Sequence, residues 1–423
     1  FTGTRTGTWT FTTSSSDPEL DGHSGTVEVA DNTNSQVGGF LKTQGNKFGR
    51  QVDGTGTLAP VVWTVYNDAG NTTFTGGADY RKMSNWTESN IRSFASRAKT
   101  LGMNHIFLTL YNQVFVEDAF SYNDHNKSNP GLSEFQTIEN VIGWARDEGV
   151  SVHFWMWGDE STRGWTPVGL EGGINGTVDQ RLQRYIAARL GPIPGWTMGY
   201  GFDLYEWVSN AELETWASNM HDHSGWPHML MARKKDVNLT NTDVKSEGKL
   251  GPDTFSEAIS NLEPDKPYVE EERFYYNRTF EWDGESQTYD MDFTMELIWR
   301  LGMAEGSGAI WGSSSGGTQY PNPEWLKTFG TFFENYLRFD MSAAEGLSDG
   351  IGMKGESNEH YVFFKRGTSS IQVDLSEMNG SQPVVAVDTR APYQEVNLGT
   401  LNATNQTISL PHSSDWAIAI GNF

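Results

Sequence analysis

Between positions 61 and 337 short apolar runs alternate with longer segments whose apolar residues recur every three or four positions, the mark of strands alternating with amphipathic helices. The strand-like runs are 61–66, 105–111, 150–157, the stretch opening at Trp196, 228–232, 244–247, 267–271 and 308–311, with 244–247 the most weakly marked. Helical spacing joins Ile91, Phe94, Ala95 and Ala98, then Ile138, Val141, Ile142 and Ala145, and again Leu182, Tyr185, Ile186 and Arg189. Leu213, Trp216, Ala217 and Met220 repeat it, a short helix spans 254–262, and Met295, Ile298 and Gly302 mark another. Asn85 with Glu88, Thr177 with Gln180, and Asn322 followed by Pro323 read as helix starts, the last helix running to Leu337. Eight strand–helix units predict an α/β fold of the (β/α)₈ barrel type at roughly its usual length.

The flanks follow a different period. Segments 8–13 and 26–30 alternate as strands around Asp17-Pro18 and Asp21-Gly22 turns, and 47–52 reads as one arm of a hairpin entering the barrel. After Phe339 short alternating runs at 361–365, 371–375, 384–388, 395–398, 407–410 and 416–420 predict a small β-sandwich. The expected division is a short N-terminal β segment over 1–46, a barrel over 47–338 and a C-terminal β-sandwich over 339–423. No low-complexity linker precedes the last, so it is expected to pack rigidly on the barrel.

Composition narrows the partners. Acidic residues outnumber basic ones 54 to 30, for a net charge of −24, which argues against a nucleic acid because phosphate binding needs a basic surface. The plain reading of that excess is a solvated acidic surface suited to salty surroundings. Cysteine is absent, which rules out disulfides and thiolate metal sites, and no apolar run reaches the length of a membrane span. A chain opening at Phe1 without a leader is expected to be processed, and Asn-X-Ser/Thr acceptors recur at Asn71, Asn85, Asn126, Asn175, Asn238, Asn277, Asn379, Asn402 and Asn405. Together these predict a secreted or cell-surface glycoprotein.

The chemistry sits at two strand ends. The run from Trp196 to Trp207 leaves its strand with Asp203 and Glu206 among Phe202, Tyr205 and Trp207, and the run from Lys266 to Phe274 carries Glu270, Glu271 and Glu272. The C-terminal ends of parallel barrel strands are where catalytic groups collect, and two carboxylates are what glycoside hydrolysis requires. A turn aspartate is the bland reading of Asp203, and surface glutamates paired with Arg273 that of the triplet. Strand alternation keeps all three glutamates from pointing into the barrel together. Burial among aromatic rings would raise the carboxyl of Asp203 as a general acid needs, and Glu206 has the same neighbours. Asp159, Glu160 and Arg163 close the third strand and Tyr111 the second, as candidate hydroxyl binders. Trp155, Trp157, Trp165, Trp207 and Trp282 are candidate sugar platforms or core residues, and His153 reads as a satisfied barrel histidine. The cluster Asn123-Asp124-His125-Asn126 lacks calcium-loop spacing, and neither a metal nor a cofactor is called for.

These residues carry a resemblance. Gly172-Gly-Ile-Asn-Gly176, the run from Arg181 to Arg189, the Trp196 to Trp207 stretch, Lys266-Pro267 and Ala309-Ile-Trp-Gly312 resemble the barrel of clan A glycoside hydrolases, and more narrowly the apiosidase-type family with its C-terminal sandwich. Gly7-Thr-Trp-Thr-Phe11 with Ser16-Asp-Pro-Glu-Leu-Asp-Gly22 resembles the last strands of an N-terminal sandwich fused to such barrels. The resemblance implies Asp203 as general acid/base, Glu271 as nucleophile with Glu272 at the clan's one-residue-longer spacing, and Trp311 as the aromatic platform. It departs at the fourth strand, where Tyr200-Gly201 stands in place of the clan's Asn-Glu. The expected activity is retaining hydrolysis of a polysaccharide or oligosaccharide. The alternative is a non-catalytic carbohydrate-binding or cell-surface structural protein on the same fold.

A net charge of −24 implies self-repulsion in the compact state that salt screens. The melting temperature is therefore expected to rise along a sodium chloride series. A flat series would show the charges already paired or well separated.

Overall fold

The computed structural model describes residues 6–30, 39–52, 56–67, 80–115, 129–159, 166–233, 238–248, 254–282, 285–313 and 320–423. Eight strands close into a parallel barrel in chain order: β1 (Thr64–Tyr66), β2 (His105–Thr109), β3 (Ser151–Trp155), β4 (Trp196–Gly199), β5 (Leu230–Arg233), β6 (Val244–Glu247), β7 (Tyr268–Tyr276) and β8 (Gly308–Ser313). Around them run α1 (Glu88–Thr100), α2 (Leu132–Asp147), α3 (Thr177–Leu190), α4 (Asn210–His223), α5 (Thr254–Asn261), α6 (Met291–Met303) and α7 (Pro323–Tyr336). One expected helix is not found among the described residues. Only positions 234–243 link β5 to β6, shorter than the dozen or so residues of a helical crossover, and the described part of that link is loop.

Helix starts differ from expectation where backbone geometry takes over from cap chemistry. Thr87, not Asn85, caps α1, its hydroxyl accepting from the Asn90 N–H, while Asn85 ends a short 3₁₀ turn. No side chain caps α3. Its entry instead needs glycine, because a Cβ on Gly176 would lie 2.3 Å from the backbone of Gly172, itself at φ +82°. The reciprocal capping box sits one helix later, between Ser209 and Glu212 at the start of α4. Pro323 opens α7 as expected, although the Asn322 side chain makes no cap bond.

The expected first strand divides. Leu58–Val61 pairs antiparallel with Lys47–Gln51, which also pairs with Leu41–Gln44, so the pairing runs across position 46, and only Thr64–Tyr66 enters the barrel. Phe48 from this small sheet stacks on Trp63, just ahead of β1, and closes the N-terminal end of the barrel. Gly7–Thr12 and Ser24–Val29 form a separate, largely exposed hairpin.

The C-terminal region is a six-stranded antiparallel sheet in which expected short strands merge into two long ones, Tyr361–Asp374 and Asn405–Ile420. Their register shifts between Lys365 and Ser370, and residues from both halves, Phe363 and Val373 among them, share one buried cluster. The sheet thus bends over its own core in the manner of a small sandwich. It is keyed to the barrel by Trp299 of α6 stacked on Phe364 at 5.3 Å. Arg366 adds a reach from the sheet to Asp292 and Glu296 of α6, beside Asp415.

One buried carboxylate ties the segments that leave β3 and β4. Asp179, in the first turn of α3, accepts from the Trp157 indole at 3.1 Å, the Tyr200 hydroxyl at 2.8 Å, the Gln183 amide at 2.9 Å and the Asn175 backbone N–H at 2.9 Å. Burial pushes its carboxyl up to about 6, with those hydrogen bonds pulling the other way. Asp179→Ala is expected to strand these donors and cost about 3 kcal/mol or more. Urea unfolding should show a lower midpoint at unchanged slope.

Candidate active site

Register and alternation decide which side chains enter the barrel. The His153 ring meets Trp63 edge-on at 5.0 Å and hydrogen-bonds Thr197, so the odd-numbered residues of β3 and β4 face inward. Following the parallel pairing around the barrel puts Asn67, Thr109, Trp155, Gly199, Arg233, Ser246, Glu271 and Gly312 on the inner face at the C-terminal mouth.

Glu271 is the centre of this ring. It is fully buried, yet both its oxygens are served: Oε1 accepts from the Trp155 indole at 2.6 Å and lies 3.3 Å from His153 Nε2, and Oε2 accepts from the Ser246 hydroxyl. Burial opposes ionisation, but the interaction with His153 and the bonds from Ser246 and Trp155 together outweigh it, holding the carboxyl below the usual glutamate range. The backbone makes room for this. Pairing between β7 and β8 jumps from Glu270–Ala309 to Arg273–Ile310, a bulge that frees Glu271 and Glu272 from the ladder. A Cβ on Gly199 would lie 2.6 Å from Glu271 Oε1 and 2.6 Å from the Trp155 ring, so only glycine fits at that point of β4. Glu270 turns the opposite way, accepting from the Tyr268 phenol at 2.5 Å with Glu247 and Glu257 near that phenol. Glu272 contributes only its backbone to the description.

Asp203 stands at the same mouth in a different environment. It adopts a left-handed backbone, φ 40°, which aspartate tolerates better than most residues, and such outliers gather at functional sites. Its neighbours pin it: Phe202 N–H donates to Gly158 O at 3.0 Å, and the Trp207 indole donates to Phe202 O at 2.9 Å. The expected aromatic burial is absent, because the Asp203 side chain is 30% exposed, Tyr205 is 61% exposed, and the contact Asp203 makes is an ion pair with Arg233. A guanidinium favours a carboxylate over the carboxylic acid, contrary to the protonated form expected of a general acid. Arg233 is 6% exposed and lies over the Trp155 and Phe202 rings, so a path of contacts runs from Asp203 through Arg233 and Trp155 to Glu271. Glu206 is exposed, its N–H donating to the Asp203 carbonyl.

The aromatic candidates fall elsewhere. Trp311 pairs in register with Tyr66, whose ring packs on Phe94 of α1, so Trp311 faces out of the barrel, buried edge-on against Tyr320 at 4.5 Å. The platform expected there has no face toward the mouth; Gly312, the inward neighbour, is instead packed against the Asn67 backbone. Trp157 is buried with its indole on Asp179, and Trp207 is half-buried and stacked on Tyr200. Tyr111 follows β2, buried at φ 53°, and Asp159 is half-buried beyond β3. Glu160, Arg163, Trp165 and the 123–126 cluster lie outside the described residues, as does the side chain of Trp282.

Ser246, Arg233 and Gly199 were not singled out by the sequence, and Trp155 was marked only as a platform or core residue. The signal available was period two, since Trp155 lies two residues beyond His153 on one face. Two further inward groups stand out: the Asn67 amide and the Thr109 hydroxyl are buried without a hydrogen-bond partner among the described residues. Groups in that state complete their bonds with water or a ligand.

No protein-family model and no curated protein sequence matches the chain. Solved structures do. A putative glycoside hydrolase from Bacteroides vulgatus is similar at TM-score 0.70 and 13% identity, covering 99% of this chain and 89% of that one. A glycoside hydrolase family 5 structure from the same organism is similar at TM-score 0.67 and 13% identity, covering 91% and 94%. A family 30 endoxylanase from Clostridium papyrosolvens is similar at TM-score 0.50 and 12% identity, covering 90% and 98%. At these identities the likeness is one of fold, and the chain has the barrel-plus-sheet architecture of glycoside hydrolases.

Proposed function

We propose that this protein is a retaining glycoside hydrolase acting outside the cell on a polysaccharide or oligosaccharide, with Glu271 as nucleophile and Asp203 as acid/base. The observation that carries the reading is the state of Glu271: a buried carboxylate held ionised by three donors at the C-terminal mouth of a parallel barrel. An ionised, oriented carboxylate is what attack on an anomeric carbon needs. In the first step the Glu271–sugar bond forms as the glycosidic C–O bond breaks, and the leaving oxygen takes a proton from Asp203. In the second, Asp203 removes a proton from water, water oxygen bonds the anomeric carbon, and Glu271 leaves as a carboxylate. The Arg233 pair keeps Asp203 in the form the second step uses, and protonation for the first requires the guanidinium to move away when the site is loaded. The acidic composition and the recurring acceptor motifs support an extracellular, saline setting. The apiosidase-type family remains a proposed kinship, supported by the residues quoted for it.

A non-catalytic carbohydrate-binding role is the second reading, and the clamp of Arg233 on Asp203 favours it. Turnover of 4-nitrophenyl glycosides decides between them. Glu271→Gln changes one oxygen, so it is expected to keep the melting temperature within a few degrees while turnover falls more than about a thousandfold. Binding without turnover in the wild type would establish the second reading. Retained activity in Glu271→Gln with loss in Glu272→Gln would move the nucleophile by one residue.

Asp203 has its own test. With a nitrophenolate leaving group little protonation is needed, so loss of the acid/base mainly slows the step that activates water. Azide needs no base. Asp203→Ala is therefore expected to be rescued by azide, giving a glycosyl azide of retained configuration, whereas Glu206→Ala should only weaken binding. Rescue in the Glu206 variant alone would reassign the acid.

A further inference from the structure

His153 was expected to be a satisfied barrel histidine, but its bonds do more than satisfy it. The ring is fully buried, with Nδ1 2.9 Å from the Thr197 hydroxyl and Nε2 3.3 Å from Glu271 Oε1. An ionised carboxylate only accepts, so Nε2 must carry the hydrogen on that side. A neutral imidazole with its hydrogen on Nε2 has an acceptor at Nδ1, and the Thr197 O–H is the donor placed to fill it. We propose that Thr197 and His153 are positioning residues of the reaction: the Thr197 hydroxyl fixes the imidazole tautomer, and the resulting Nε2–H holds Glu271 as a carboxylate aimed for attack.

The surroundings leave this pair little freedom. Trp63 meets the imidazole edge-on at 5.0 Å, Trp155 edge-on at 6.5 Å and Phe107 at a tilt at 6.1 Å, so aromatic rings crowd it on several sides. The charged and titratable groups around it are His105 on β2, Glu271 on β7 and, behind His105, Arg50 from Lys47–Gln51; β4 presents Thr197 and β6 the Ser246 hydroxyl on the far oxygen of Glu271. Trp155 and Ser246 also donate to Glu271, but both approach from the mouth layer of the barrel. His153, one layer below, has its other ring nitrogen on a second inward hydroxyl, that of Thr197.

The inference rests on reading Glu271 as the nucleophile, and the test separates the two. Thr197→Val keeps shape and removes the hydroxyl; Thr197→Ser keeps the hydroxyl. On the 4-nitrophenyl glycoside that the wild type turns over fastest, Thr197→Val should lower kcat about tenfold with KM little changed. Its acid limb of kcat/KM should move up by about half a pH unit or more, since the carboxylate loses support. Thr197→Ser should restore both, and His153→Gln, which keeps a donor, should lie between. An unmoved acid limb in Thr197→Val, or failure of serine to restore it, would overturn the proposal.

A second measurement needs no substrate. A carboxyl held below its unfolded value adds stability above that unfolded value, and the gain is lost as pH falls through the folded one. Thr197→Val should therefore lower the melting temperature more at pH 7 than at pH 4. That pH dependence should vanish when Thr197→Val is placed on Glu271→Gln. If it persists there, Thr197 does not act through Glu271 and the proposal is overturned. An active Glu271→Gln would instead overturn the nucleophile assignment and leave the thermal cycle standing.

Discussion

A carboxylate cannot sit inside a protein barrel unless its charge is met, and Glu271 is met at both oxygens by groups from β3 and β6. Much of the local architecture follows from that requirement. The register of β7 with β6 turns Glu271 inward, Gly199 leaves the space its carboxylate and Trp155 occupy, and His153 is held in turn by Thr197. Removing any of the donors leaves a buried charge partly unmet, which is why the site is organised as a ring of contacts from several strands.

The two carboxylates differ in their surroundings. Glu271 is enclosed among hydrogen-bond donors, while Asp203 is part-exposed on a strained turn against a guanidinium. Acid/base pairs in glycosidases depend on environments that push two carboxyl groups apart. Here the resting partners of both favour the ionised form. The layer that positions Asp203 is itself built on a buried acid, Asp179, whose bonds to Trp157 and Tyr200 join the ends of β3 and β4.

The sheet that follows the barrel contributes through rigidity. Trp299 on Phe364 and the Arg366 contacts to Asp292 and Glu296 fix α6 from outside, and α6 lies between β7 and β8, next to the strand that carries Glu271.

Apolar period alone determined the eight barrel strands in order, most of the helices, the all-β character of the C-terminal region and the two strand ends where carboxylates gather, because burial of one face is encoded locally. Val244–Glu247, the faintest of the predicted strands, forms as read. What the tertiary structure decided was direction and partnership. Trp311 looks like a mouth residue in one dimension, and the register with Tyr66 turns it outward. Three glutamates in a row are indistinguishable by composition, and the register of β7 with β6 sends Glu271 inward. Asp203 sits among aromatic letters, but the group that meets it is Arg233, thirty positions away. Such contacts depend on register and on side chains brought together by closure of the barrel, quantities that no local pattern contains.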